Sequence, residues 1–210
     1  MKLIIFGATG KIGQAVVREA LRRKYEVTAV VRNRFKFNEK HELLTIVEGD
    51  LQKPDSIASI IAGHEVVISA YGPKFGAEEE LVEVARTLVE GVREGGAERL
   101  VVVGGAGSLK TDEGIPLMES EGFPEELKPL AKAHQDAFEI FETSDLDWTY
   151  LSPASIIEPG RRTGNFRIGT DRLIVDEEGH SRISVEDYAV ALLDEVDDPY
   201  FSRSRFTVAY

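Results

Sequence analysis

The 210-residue chain contains no cysteine, which excludes disulfide bonds, thiolate metal sites and a cysteine nucleophile. It also has no apolar run close to the roughly 20 residues that a helix needs to cross a bilayer. Met1 and Lys2 lead directly into an apolar segment, and no signal region is recognisable before it. These absences favour a cytoplasmic location, although the lack of cysteine by itself fits either redox compartment.

Positive charge is scarce, since 25 lysines and arginines stand against 37 aspartates and glutamates, and the formal net charge is −12. Such a surface repels nucleic acid and anionic membranes, so we expect neither as a partner. Three of the four histidines, His41, His64 and His180, are scattered among predicted loops without metal-ligand spacing, so no metal is expected. The oligomeric state is left open.

Short apolar segments alternate with amphipathic ones along the chain, a pattern typical of α/β proteins. We predict strands at 2–6, 26–31, 43–47, 66–69, 100–103, 148–151 and 206–209. Helices are predicted near 12–20, 54–62, 78–94, 131–143 and after 184, and a hairpin from 166–168 and 173–175. Right-handed crossovers then give a Rossmann-type, doubly wound, mostly parallel sheet. We predict one domain over 1–210, with 153–185 as a small C-terminal appendage on the substrate side.

A glycine-rich turn follows the first predicted strand. Gly7, Gly10 and Gly13 have the spacing G-x-x-G-x-x-G, and the turn opens a helix. Gly7 permits the tight turn, Gly10 lets the backbone approach a pyrophosphate, and Gly13 lets the helix pack closely on the sheet. The helix N-terminus offers free N–H groups and a positive dipole end to the phosphate. A glycine turn between a strand and a helix therefore predicts a dinucleotide site.

The end of the second predicted strand indicates which dinucleotide is bound. An NAD site usually has a carboxylate about twenty residues beyond the glycines, whereas an arginine accommodates the 2′-phosphate of NADP. Here the position holds Arg32, with Arg34 beside it and Lys11 in the glycine turn. Three cations and no carboxylate favour NADP(H) over NAD(H). The alternative is that Arg32 and Arg34 are solvated loop charges.

Two longer motifs carry a resemblance to a known family. Residues 7–13 read GATGKIG, and residues 146–154 read LDWTYLSPA. From residue 1 to about 159, the chain resembles the atypical branch of the short-chain dehydrogenase/reductase superfamily, whose members open with GATGxIG and carry LDWTxxxP. The resemblance implies cofactor contacts at Gly7, Thr9, Gly10, Lys11, Ile12, Arg32, Asp50, Leu51, Ala70, Tyr71, Gly72, Pro153 and Ser155.

The resemblance also implies where each part of the cofactor lies. Asp50 accepts a hydrogen bond from the adenine amino group, and Leu51 covers the adenine ring. The turn 70–72 lies beneath the nicotinamide-side ribose, and the backbone beyond Pro153 faces the nicotinamide. Tyr71 is a candidate for the wall of the hydride pocket, with ordinary packing as the alternative.

The superfamily's acid/base pair is missing from the chain. Reductases and epimerases of this group use a tyrosine and, four residues later, a lysine, and these two positions hold Leu130 and His134. A general acid contributes about 10²–10⁴-fold to carbonyl chemistry. His134 is the one candidate catalytic residue, as a donor to the nicotinamide ribose or as the group that protonates the reduced product. A helix histidine without a role is the alternative.

The loss of the tyrosine favours one reaction class. A flavin or quinone ring delocalises the charge that a hydride brings, so it depends less on a protein acid. We therefore expect an NADPH-dependent reductase of a flavin, quinone or similar planar small molecule, with flavin as substrate rather than prosthetic group. The chain is similar to NAD(P)H-flavin reductases and biliverdin-reductase-B-type flavin reductases. The alternatives are an NmrA-like NADP(H)-binding regulator without chemistry and, less favoured, a nucleotide-sugar epimerase or dehydratase.

Several weaker candidates lie further along the chain. Ser108 follows the fifth predicted strand, where the superfamily places a catalytic hydroxyl. Three arginines could attract a flavin phosphate, although solvated charges are the favoured interpretation: Arg161, Arg162 and Arg167. Ser184 and Asp187 have the spacing of a helix cap rather than of a catalytic triad.

Overall fold

The computed structural model describes residues 1–210 and contains ten strands and five α-helices. The strands are β1 (Lys2–Phe6), β2 (Glu26–Val31), β3 (Leu44–Glu48), β4 (Val66–Ser69), β5 (Arg99–Val103), β6 (Trp148–Ser152), β7 (Ile156–Glu158), β8 (Arg167–Gly169), β9 (Arg182–Ser184) and β10 (Ser204–Ala209). The helices are α1 (Lys11–Arg22), α2 (Ile57–Ile61), α3 (Glu80–Gly95), α4 (Lys128–Glu142) and α5 (Val185–Asp197). None of these helices combines the length and the hydropathy needed to cross a bilayer.

Eight strands form one sheet in the order β3-β2-β1-β4-β5-β6-β10-β8. All neighbours are parallel except β8, which runs antiparallel to β10 at the edge. Two strands follow β1 in one direction, and then the chain returns to build the sheet on its other side. This arrangement confirms the Rossmann-type, doubly wound fold.

The sheet is covered on both faces, which explains why its central strands are apolar without alternation. Leu3 and Ile5 of β1 point into one core, which they share with α1 and α5. Ile4 and Phe6 point into the other core, which is covered by α2, α3 and α4. Because successive strand residues face opposite sides, the five-residue strand supplies both cores at once.

The predicted helix cap at Ser184 is confirmed. Its Oγ accepts a hydrogen bond from the N–H of Asp187 at 2.9 Å. The Asp187 carboxylate forms no hydrogen bond with the N–H of Ser184. It accepts hydrogen bonds from the N–H groups of Thr163 and Gly164, at 2.7 and 2.8 Å, and from the Tyr210 hydroxyl at 2.8 Å. One buried carboxylate therefore fixes the loop 159–165 against the start of α5.

The predicted hairpin of 166–168 and 173–175 is wrong. Strand β8 pairs instead with β10, with Ile168 opposite Val208, because β10 would otherwise leave an open sheet edge. Residues 173–175 form no strand, and the N–H of Leu173 donates to the carbonyl of Lys110 at 2.9 Å. A small parallel sheet of β7 and β9, which the sequence pattern did not predict, follows β6.

Candidate active site

A cavity of about 1020 Å³ opens beyond the carboxyl ends of the parallel strands. It lies where the two halves of the sheet diverge from β1, the point at which doubly wound sheets bind ligands. Its lining includes all fourteen residues predicted from the sequence: Gly7, Thr9, Gly10, Lys11, Ile12, Arg32, Asp50, Leu51, Ala70, Tyr71, Gly72, His134, Pro153 and Ser155. The fold thus gathers residues from six chain segments around one space.

The three glycines of the first turn differ in what they contact. Gly7 has φ +74°, and a Cβ there would lie 2.3 Å from the carbonyl oxygen of Ala70. A Cβ on Gly13 would lie 2.1 Å from the carbonyl oxygen of Gly7. At Gly10, by contrast, the only atom within 4 Å would be that same oxygen, at 3.3 Å. Internal packing therefore requires glycine at positions 7 and 13 and much less so at position 10, which faces the cavity.

The N-terminus of α1 opens on the same cavity. No side chain caps it, and the backbone N–H groups of Lys11, Ile12 and Gly13 make no hydrogen bond within the protein. The side chains of Lys11 and Arg32 are exposed at the cavity wall, and neither forms an ion pair. Free N–H groups, a helix dipole and two unpaired cations together form a site suited to phosphate groups.

Arg34 does not belong to this group. It does not line the cavity, and its backbone N–H contacts Oε1 of Glu48 at 3.4 Å. Asp50 begins a turn in which its own Oδ1 accepts from the N–H of Gln52 at 3.2 Å. Leu51 is 3% exposed and forms part of the cavity floor. The cations that face the cavity are therefore Lys11 and Arg32.

Tyr71 is held by two partners at the cavity wall. Its hydroxyl donates to Oε2 of Glu80 at 2.6 Å and accepts from the side-chain amide of Gln52 at 3.1 Å. Burial and the adjacent Glu80 carboxylate raise the pKa of Tyr71 to about 12. A phenol whose proton is committed to a carboxylate is a poor acid or base for a substrate. The geometry assigns Tyr71 to the wall rather than to proton transfer.

His134 of α4 lines the cavity, and Tyr150 of β6 lies buried behind it. The Tyr150 hydroxyl donates to the backbone oxygen of His134 at 3.1 Å and lies 3.3 Å from its Nδ1. The N–H of Gly105 donates to the same hydroxyl, also at 3.3 Å. Because a phenol has one proton and a carbonyl can only accept it, this network favours the tautomer with the proton on Nδ1. Nε2 then carries a lone pair and has no partner within the protein.

The charge state of His134 follows from its burial. Desolvation lowers the pKa of His134 to about 4, so the imidazole is neutral at pH 7. A neutral ring can accept a hydrogen bond at Nε2, from a ribose hydroxyl for example. The expectation that His134 protonates the reduced product near neutral pH is not favoured, because too little imidazolium is present.

The remaining candidates lie outside the cavity. Ser108 does not line it, and its hydroxyl accepts from Nη1 of Arg205 at 2.8 Å. Arg162 forms two hydrogen bonds with the buried Glu19, at 2.8 and 2.9 Å. Arg167 donates to the carbonyls of Val175 and Tyr210. Arg161 is exposed and does not line the cavity either. The structure therefore offers none of these arginines to a ligand in the cavity.

One exposed turn brings a histidine close to carboxylates. Ligand atoms of Asp176, Glu178 and His180 lie within 4.8 Å of one another. Oδ1 of Asp176 accepts the backbone N–H groups of Glu178 and His180, at 3.0 and 2.7 Å. These bonds account for the clustering as a turn.

The end of the cavity near His134 is apolar. It is lined by side chains from the segment 117–130, from β7 and from the start of α5, among them Leu117, Phe123, Leu127, Leu130, Ile156 and Val185. The segment before α4 is held in place, since Leu109 is fully buried and the N–H of Leu117 donates to its carbonyl at 2.8 Å. This end can receive a planar apolar group beside His134.

The sequence assigned no role to the residues behind the cavity wall, above all Tyr150. It lies in a strand whose five residues are all buried, so its pattern indicates only core. The available signal was chemical, because a buried tyrosine hydroxyl needs a hydrogen-bond partner. Gln52 and Glu80, which bind Tyr71, were missed because the three residues lie in separate parts of the chain: after β3, after β4 and at the start of α3.

Comparison with known proteins agrees with this geometry. Residues 7–196 match a family described as NAD(P)H-binding. The chain belongs to this NAD(P)H-binding family. It is 40% identical over 212 residues to the uncharacterised protein YwnB of Bacillus subtilis, covering 99% of this chain and 98% of YwnB. The resemblance to the atypical short-chain dehydrogenase/reductase group is confirmed, and the family binds a nicotinamide cofactor.

Three solved structures are similar over the whole chain. A Burkholderia pseudomallei protein named as a candidate exported protein is 48% identical, with a TM-score of 0.91 and full coverage of both chains. A candidate epimerase from Bacteroides thetaiotaomicron is 40% identical, with a TM-score of 0.93, covering 100% of this chain and 96% of that one. A candidate NADH-flavin reductase from Streptococcus pneumoniae is 34% identical, with a TM-score of 0.89, covering 100% and 99%. Together with the family, the last of these supports a protein of the NAD(P)H-dependent oxidoreductase kind.

Proposed function

We propose that the protein is an NADPH-dependent reductase that delivers hydride to a flavin, a quinone or a similar planar acceptor. The observation that carries the proposal is the composition of the cavity. One end has free N–H groups and two unpaired cations, and the other end is mostly apolar and holds a neutral histidine but no tyrosine that is free to donate a proton. An acceptor that needs no protein acid suits such a site.

The phosphate-binding end fits the cofactor on structural grounds. The space at Gly10, the uncapped start of α1 and the side chain of Lys11 would hold the pyrophosphate. Arg32 would pair with the 2′-phosphate, which is why NADP(H) is preferred over NAD(H) in this proposal. Asp50 and Leu51 would contact the adenine, as the resemblance implies.

The middle of the cavity would hold the nicotinamide-side ribose and ring. Ala70 and Gly72 present backbone there, and a Cβ at Gly72 would meet nothing within 4 Å. Pro153 and Ser155 would form the nicotinamide wall. The N–H of Ser155 donates to Oγ of Ser181 at 3.2 Å and its hydroxyl donates to the Ser181 carbonyl at 3.0 Å, so this residue contributes shape rather than a free hydroxyl.

The chemistry is divided between cofactor and protein. A reduced nicotinamide supplies the hydride when it is bound. The protein would orient the acceptor against the apolar wall, exclude water, and offer Nε2 of His134 as a hydrogen-bond acceptor. His134 is thus the proposed catalytic residue, in a positioning contact with ribose or acceptor rather than as an acid. Flavin would enter as a substrate and not as a bound prosthetic group.

The test is direct. Purified protein is mixed with NADPH and, in turn, riboflavin, FMN and a naphthoquinone, and the loss of NADPH absorbance is followed. We expect turnover that saturates in the acceptor and falls in His134→Gln, while an exposed control variant, His41→Gln, keeps the original rate. NADPH binding without turnover of any acceptor would contradict the proposal.

Two alternatives have specific support. The engaged Tyr71 and the neutral His134 also suit a non-catalytic, NmrA-like sensor of NADP(H), which would bind the cofactor without turnover. The name of the Bacteroides relative favours an epimerase. The epimerase alternative is disfavoured because Leu130 occupies the position of the superfamily's tyrosine. Turnover of a nucleotide sugar would be needed to support it. A cytoplasmic location and the absence of nucleic-acid and membrane partners stay predictions.

A further inference from the structure

The charged residues in the cavity wall are divided between its two ends. Lys11 and Arg32 lie at the ends of β1 and β2, where the dinucleotide phosphates are proposed to lie. Around the opposite, apolar end the lining holds one charged side chain, the exposed Glu121, besides the neutral His134. An acceptor bound there would meet apolar side chains and a single negative charge.

Three basic residues near this end in the chain are bound to other partners, and the exposed Lys110, which forms no ion pair, does not line the cavity. Nζ of Lys128 pairs with Glu125 at 2.5 Å, and Lys132 pairs with Asp136. The guanidinium of Arg205 binds Asp171 at 2.7 Å and lies over the ring of Phe138. None of these three cations lines the cavity. The lining of this end therefore contains no lysine or arginine that could receive an anionic group of the acceptor.

The segment 110–128, which forms part of the wall at the apolar end of the cavity, is itself acidic. Between residues 110 and 128, the acidic positions are Asp112, Glu113, Glu119, Glu121, Glu125 and Glu126, against the two lysines at the ends of the segment. The excess has the same sign as the net charge of the whole chain, −12. Glu121 lines the cavity, so its exposed carboxylate would repel a doubly charged phosphate that approaches this end within a Debye length of about 8 Å.

We propose that the acceptor end selects uncharged planar rings and discriminates against phosphorylated ones, with Glu121 as the residue that determines this specificity. The inference rests on the proposed function and narrows it. Riboflavin or a neutral quinone would be preferred over FMN, FAD or a sulfonated quinone. The overall reaction balances as acceptor, NADPH and one proton giving the two-electron-reduced acceptor and NADP⁺, with hydride from the nicotinamide and the proton from water.

The experiment compares pairs of acceptors that share a ring system and differ by one anionic group. The value of kcat/KM is measured for riboflavin against FMN and for a naphthoquinone against its sulfonated analogue. We expect the neutral member of each pair to be favoured about fivefold or more at low salt, and the preference to shrink as salt rises, because exposed charges are screened.

Variants assign the effect to a residue. Glu121→Gln is expected to raise kcat/KM for FMN about threefold and to leave riboflavin unchanged, because removing one charge relieves repulsion only for the anion. Glu126→Gln is the matched control, since Glu126 carries the same charge in the same segment but does not line the cavity. It should change the ratio much less.

The outcomes separate this inference from the proposed function. Turnover in which FMN equals or exceeds riboflavin, or in which Glu121→Gln leaves their ratio unchanged, would overturn the inference and leave the reductase function standing. Absence of turnover with every acceptor would overturn the reductase function. In that case, quenching of riboflavin and FMN fluorescence by the NADP⁺-loaded protein decides the inference, and equal affinities would overturn it.

Discussion

The hydroxyl of Tyr150 lies 3.3 Å from Nδ1 of His134 and donates to the backbone oxygen of the same residue. The imidazole that faces the cavity is therefore positioned by a residue that no cavity ligand touches. The backbone of Gly105 packs closely against the same ring, since a Cβ there would lie 2.7 Å from Cγ of His134. Orientation of this ring is fixed by the fold before any ligand binds.

Tyr150→Phe should lower kcat for the best acceptor about tenfold and change the KM for NADPH less than twofold. One lost hydrogen bond of about 1.4 kcal/mol corresponds to a tenfold change in rate, and the cofactor contacts lie elsewhere. Steady-state kinetics separates the two parameters. A purely structural role of the hydroxyl would instead lower the stability and leave kcat of the folded fraction unchanged.

Tyr188→Phe is the matched control for the loss of a buried hydroxyl. Tyr188 is fully buried, and its hydroxyl donates to the carbonyl of Leu151 at 2.6 Å, outside the cavity lining. We expect a loss of stability of about 1 kcal/mol and an unchanged kcat. If both variants lose kcat equally, the positioning role of Tyr150 is excluded.

Gly10→Ala should weaken NADPH binding about tenfold while the melting temperature stays within a few degrees. The added methyl group would contact only the carbonyl oxygen of Gly7, at 3.3 Å, so the fold can accommodate it. It would project into the space proposed for the pyrophosphate. Cofactor titration by fluorescence and a thermal melt give the two values.

Gly13→Ala serves as the contrasting variant. Its Cβ would lie 2.1 Å from the Gly7 carbonyl oxygen, so it should lose stability strongly as well as binding. Gly10→Ala that binds NADPH normally would show that the backbone at Gly10 does not approach the cofactor.

The architecture could be predicted because its signals are local. The apolar run 2–6, the glycines after it and the amphipathic helices each specify an element by their own pattern, and crossover handedness then limits the topology. The partner of β8 could not be predicted, since Ile168 and Val208 pair across forty residues of chain. The short sheet of β7 and β9 could not be predicted either, because strands of three residues carry little periodicity.

The candidate site also contains residues that could be predicted from local sequence and residues that could not. Residues that follow strand ends, such as Gly10, Arg32 and Asp50, were identified because parallel strands bring their carboxyl ends to one rim. The charge state of His134 was not predicted, because its low pKa arises from desolvation in the folded protein rather than from neighbours in sequence. The partner of Arg162 could not be predicted either, since the buried Glu19 that binds it lies on α1, far away in the sequence.

Arg32→Asp should weaken NADPH binding about 10- to 100-fold and NADH binding less than threefold. A charge-assisted pair with the 2′-phosphate is worth roughly 1.5–3 kcal/mol, and only NADPH carries that phosphate. Arg34→Asp is the control, because Arg34 is also exposed but does not line the cavity. Titration of both cofactors measures the ratio, and equal losses for NADPH and NADH would contradict the 2′-phosphate assignment.

Acid should destabilise the protein through His134. The pKa of this residue lies near 6.5 in the unfolded chain and at about 4 in the folded one, so between these values the unfolded state binds more protons and stability falls as the pH falls. From pH 7 to pH 5 the shift spans about 1.5 units, or about 2 kcal/mol at 1.36 kcal/mol per unit.

The measurement is urea unfolding of the wild type and of His134→Gln at the two pH values. The variant has no group to titrate at this position, so its free energy of unfolding should fall by about 2 kcal/mol less than that of the wild type. His41→Gln, at an exposed position, should retain the wild-type dependence. Parallel losses in wild type and His134→Gln would mean that the imidazole becomes protonated in the folded state as readily as in the unfolded chain. The pKa of His134 in the folded protein would then lie near its unperturbed value, and burial would not hold the imidazole in its neutral form below neutral pH.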